Sequence, residues 1–84
     1  MSVVSEMFNE FLNLAEGQKI MVRVTDEKRL KSIRTLMHRE KKAYEDATGQ
    51  RINMACFKQQ EEDGTMYLEI KNEAIEFKVV EDQL

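Results

Sequence analysis

The chain has 84 residues, a formal net charge of −3, 42% hydrophobic and 35% charged residues, and one cysteine. That length supports one small core, expected to be marginally stable alone, and so a single domain over residues 1–84. No apolar run approaches the roughly 20 residues of a membrane-spanning helix, the first residues lack the pattern of a signal peptide, and a lone Cys56 makes no internal disulfide, so a reducing, cytoplasmic setting is expected.

Charge is distributed unevenly. Residues 1–18 carry three acids and no base, residues 19–58 eleven bases against five acids, and residues 59–84 two bases against eight acids. A uniformly basic nucleic-acid binder is excluded; a bipolar molecule is not.

Taken in order, Ser2 to Glu16 has a helical period, with Ser2 or Ser5 as cap and Gly17 as stop. Its apolar face of Val4, Met7, Phe8, Phe11, Leu12 and Ala15 must dock, either on the domain's own sheet or on a partner. Lys19 to Val24 alternates, with Ile20, Val22 and Val24 on one side, and predicts a half-buried strand.

The stretch from Asp26 to about Ala47 has no Gly or Pro and predicts the longest helix, with Thr25 as cap and Gly49 closing its last turn. One arc gathers Leu30, Ile33, Leu36, Met37, Ala43, Tyr44 and Ala47. The opposite side is basic, with seven Lys or Arg between Lys28 and Lys42 against a single acid, Glu40. Glu40 falls inside the apolar arc: either it lies at the edge of the arc and reaches water, or it is a buried ion needing a partner, for which Arg29 and Arg23 are candidates.

Three further strands follow: Arg51 to Lys58, then Met66 to Lys71 after the polar turn Gln59 to Gly64, then Ile75 to Val79 after a turn at Asn72–Glu73. The order α-β-α-β-β-β predicts an α+β two-layer sandwich: a four-stranded, mainly antiparallel sheet with both helices on one face. The last three strands are expected as a meander, with the first strand at one of its edges. The bare face is expected to be polar, carrying Arg23, Asn53, Tyr67, Glu69 and Lys71 among others.

Nothing in the sequence assembles a catalytic or metal site. There is one His and one Cys, with no Gly-rich phosphate loop, no G-x-S-x-G and no H-E-x-x-H. His38 is expected on the wet face of the long helix and Cys56 on the inward row of a strand, so the chain is expected to be neither an enzyme nor a cofactor protein. Two charged surfaces remain. The basic helix face groups Lys31, Arg34, His38, Lys41 and Lys42, and the acidic end presents Glu61, Glu62 and Asp63. The expectation is a small accessory or inhibitor protein, in the style of bacterial and phage proteins, that binds another protein through one of these surfaces. The alternative is phosphate contact by the helix, giving nucleic-acid binding without sequence readout. The bipolar charge is also compatible with a homodimer.

Overall fold

The computed structural model describes residues 2–73. They form α1 (Val3–Leu12), β1 (Lys19–Val24), α2 (Glu27–Thr48), β2 (Met54–Gln60) and β3 (Met66–Asn72). The class is α+β, and among the described residues the sheet has three strands in the order β1-β3-β2, both pairings antiparallel. The expected fourth strand, Ile75 to Val79, lies outside the described residues.

The strand order corrects the expected meander. β1 pairs with β3 through Ile20↔Ile70 and Val22↔Leu68, and β2 pairs with the other side of β3 through Cys56↔Ile70 and Lys58↔Leu68. Both edges of β3 are therefore taken, and β1 is not at the rim of a meander. The physical reason is burial. β3 carries Leu68 and Ile70, neither of which is exposed at all, and the most apolar strand takes the centre, where neighbours shield it on both sides.

Alternation places the expected inward rows correctly. Ile20, Val22, Met54, Cys56 and Met66 pack against a core of Phe8, Phe11, Val24, Leu30, Met37, Leu68 and Ile70. Because that core joins both helices to one side of the sheet, α1 docks on its own domain through Phe8 and Phe11, whose rings lie 5.9 Å apart. The Phe8 ring is also 5.9 Å from that of Tyr44 on α2, which ties the two helices together.

α1 is capped by Ser2, whose hydroxyl accepts from Ser5 N–H at 3.1 Å. It ends four residues before the expected stop, at Asn13, whose N–H reaches Glu10. A long-range tie explains the early end. The Asn72 side chain donates to the Leu14 carbonyl at 2.8 Å, and the Asn72 carbonyl accepts from Gly17 N–H at 2.8 Å. The chain between α1 and β1 is thereby held to the end of β3. Asn72 thus closes β3, and the turn expected at Asn72–Glu73 runs outside the described residues.

In α2 the cap is Asp26, one residue later than Thr25; its carboxylate accepts from Arg29 N–H at 2.7 Å. Gly49 closes the helix at φ 75°, a conformation that disfavours any residue with a Cβ.

Candidate functional site: the exposed cationic face of α2

The orientation of α2 decides which charges face outward. Hydropathy alone centres the buried arc between Ile33 and Tyr44 and includes Leu36, Ala43 and Ala47. In the structure the arc is turned by roughly 50° toward the basic side. Met37 is fully buried at its centre, Arg34, Lys41 and Glu45 are half-buried on one flank, and Leu36, Ala43 and Ala47 are exposed on the other. Long basic side chains tolerate this because their alkyl stems cover apolar surface while the charge reaches water. The Glu45 carboxylate accepts from Ile52 N–H at 2.8 Å, pinning that flank to the segment entering β2.

Two of the five expected partner-binding residues on the helix therefore depart from the exposed face. Arg34 is half-buried, and Lys41 is half-buried, 3.8 Å from Glu45. Lys31, His38 and Lys42 are exposed as expected. Lys28 and Thr35 complete their row, because Lys28, Lys31, Thr35, His38 and Lys42 are separated by steps of three and four residues and share one side of a helix. The row spans about 21 Å at 1.5 Å per residue. Among the described residues the ion pairs engage Lys19, Lys41 and Lys58, and none engages Lys28, Lys31 or Lys42. Those three lysines are exposed and outside the ion pairs of the described residues, with the Glu27 carboxylate acting on Lys31 at longer range.

Glu40 is not a buried ion. It is half-buried, and its carboxylate accepts a 2.6 Å hydrogen bond from the Ser5 hydroxyl of α1, not from Arg29 or Arg23. A groove of ≈ 390 Å³ opens beside the pair, between Val4 and Leu36. Ser5→Ala leaves a partly desolvated carboxylate without its donor, and a loss of about 1–2 kcal/mol in urea-unfolding free energy is expected. A loss no larger than that of an exposed control such as Ser32→Ala would show that the bond contributes nothing.

The acidic end is exposed as expected. Glu61, Glu62 and Asp63 form the turn between β2 and β3, closed by Glu61 N–H to the Thr65 carbonyl at 2.8 Å and by Gly64 at φ 92°. The Thr65 N–H, donating to Asp63 at 2.9 Å, holds that carboxyl below its ordinary range. Asp63 therefore serves the turn, and Glu61 and Glu62 are the outward charges. Near the same end of β2, Lys58 donates to Glu27 at 2.8 Å and lowers the Glu27 carboxyl. That pair stabilises the fold above the ordinary carboxylate range, and the stabilisation is lost as pH falls through the depressed value.

Cys56 and His38 are not joined by any hydrogen bond, and no group of three potential metal ligands occurs among the described residues. Desolvation raises the Cys56 thiol above its ordinary range, with the Arg34 guanidinium pulling weakly the other way. The expected result is alkylation by iodoacetamide slower than that of a free cysteine peptide at mildly alkaline pH, accelerating when the protein unfolds in urea. Equal rates in both states would contradict this packing.

Comparison with protein-family models, with curated proteins and with solved structures gives no match. No helix among the described residues is long and apolar enough to cross a membrane. Function has to be argued from the surface itself.

Lys28, placed on the basic side of the helix by the sequence, is exposed there. One feature escaped the sequence pattern. Glu69, expected on the polar bare face, is only 9% exposed, because Met21 and Phe57 flank it on the neighbouring strands and Lys19 approaches its carboxylate to 3.2 Å. Its position at the middle of a central strand was the missing signal.

Proposed function

We propose that the protein is a small, non-catalytic binding module, an accessory or inhibitor protein of the bacterial or phage kind, that recognises an acidic surface of another protein with the exposed row Lys28, Lys31, His38 and Lys42 of α2. The observation that carries this reading is the row itself: Lys28, Lys31 and Lys42, with His38 between them, on one side of a rigid helix and outside the ion pairs of the described residues. A helix anchored by fully buried Leu30 and Met37 holds these charges in fixed register, so little order has to be gained on binding. The acidic turn, with Glu61 and Glu62 exposed, gives the molecule an oppositely charged second end.

A second reading is favoured by the same spacing. The row would follow a phosphate backbone, giving sequence-independent binding to duplex nucleic acid with steep salt dependence. The two are separated by affinity capture with tagged protein from nuclease-treated and untreated lysate. One protein recovered in stoichiometric amount under both conditions, and lost from the Lys31→Glu/Lys42→Glu variant, supports the first. Material recovered only without nuclease supports the second. Recovery indifferent to the charge reversal would overturn both.

A further inference from the structure

The apolar arc of α2 is wider than the fold covers. Leu30 and Met37 are buried, whereas Leu36 keeps 38% of its surface in water, and Ala43 and Ala47 are exposed on the same flank. Along that flank Arg29, Ser32, Leu36, Arg39, Ala43 and Asp46 recur at alternating steps of three and four residues, all of them exposed. Such spacing makes one nearly straight seam, the arrangement by which two helices pack side by side. Ser32 and Ala43 are small enough to let a second helix come close. The charges on the seam are segregated, with Arg29 at one end, Arg39 near the middle and Asp46 at the other end. All three lie outside the ion pairs of the described residues. The Asp26 carboxylate is engaged by the N–H of Arg29, and Lys42, one turn before Asp46, forms no ion pair with it. The groove of ≈ 390 Å³ opens onto the middle of the seam, lined by Val4 and Ser5 of α1 and by Leu36, Arg39 and Glu40.

We propose that this seam docks a second copy of the chain, α2 against α2 in antiparallel sense, about a two-fold axis close to Met37. The charges choose both the occupant and the sense. A parallel pair would set Arg29, Arg39 and Asp46 each against its own copy, like charge against like. The antiparallel pair sets Arg29 of each protomer against Asp46 of the other, so one surface carries both halves of its complement, as a two-fold interface requires. In the same register Ser32 meets Ala43 of the other copy, and Leu36 meets Arg39 of the other copy at the mouth of the groove. Met37, which faces the core, lies about 130° around the helix from the seam, so the two sheets stay apart. The Lys28–Lys42 row lies about 90° from the seam. An axis perpendicular to both helices leaves the two rows facing the same side, which doubles the cationic surface without using it. The dimer therefore does not depend on what that surface binds.

The test is sedimentation equilibrium of the full chain over a concentration series. A reversible monomer–dimer equilibrium is expected, weak because two helices bury less than an interface of standard size. Leu36→Glu should remove the dimer with an unchanged circular dichroism spectrum. Arg29→Glu and Asp46→Arg should each raise the dissociation constant about tenfold or more, since each brings like charges together twice. The two substitutions combined should restore it. Lys31→Glu/Lys42→Glu should dimerise as the wild type does, which separates this seam from the partner-binding row. A monomer at every concentration, a dimer indifferent to Leu36→Glu, or a charge-swapped variant no tighter than the single variants would each overturn the proposal.

Discussion

Reversing two charges, Lys31→Glu with Lys42→Glu, is expected to weaken the complex with the captured partner by about 100-fold or more, because like charges brought together at an interface cost several kcal/mol. Both residues are exposed and outside the ion pairs of the described residues, so the fold should change by no more than about 0.5 kcal/mol each. The matched control is Arg34→Glu with Lys41→Glu, on the half-buried flank. It makes the same change of charge on the same helix, yet should affect binding far less and stability more. Biolayer interferometry on the purified pair, with urea unfolding of each variant, reads both quantities. If the two double variants lose affinity equally, the orientation assigned to α2 is wrong.

Leu68→Ala is expected to cost about 2–5 kcal/mol. Leu68 is fully buried, sits on the central strand between Val22 and Lys58, and belongs to the one core joining both helices to the sheet. In a domain this small the total stability is about 5 kcal/mol or less, so the variant should be substantially unfolded at room temperature. Phe57→Ala, also in the sheet but 43% exposed, should cost far less. Equal losses would mean that the two faces of the sheet are not differently covered.

The contrast between these residues indicates how much the sequence discloses. Strand polarity was legible because alternation is local: Ile20, Val22, Met66, Leu68 and Ile70 all face the helices as the period of two requires. The extent of α2 was legible within a residue from its acidic start and from Gly49. Its rotation was not. Hydropathy counts Lys41 and Arg34 as polar, whereas a packed helix uses their stems as apolar surface, and α1, ten residues long and joined to Glu40 through Ser5, leaves Leu36, Ala43 and Ala47 exposed. Strand order was hidden for a different reason. The pairing of β1 with β3 joins residues about fifty positions apart, and no local signal encodes it. The early end of α1 depends in the same way on Asn72, 58 residues beyond Leu14. The candidate site was legible in kind, as a basic helix, and misplaced in part, because exposure follows from the rotation.

The most direct measurement is an acetylation footprint of the lysines, read by mass spectrometry on the free protein and on the complex recovered after nuclease treatment. Slower modification of Lys28, Lys31 and Lys42 in the complex, with Lys19 and Lys71 on the bare sheet face unchanged, is the predicted result. Unaltered rates along α2, or protection confined to the sheet lysines, would contradict the claim that this row of cations holds the partner.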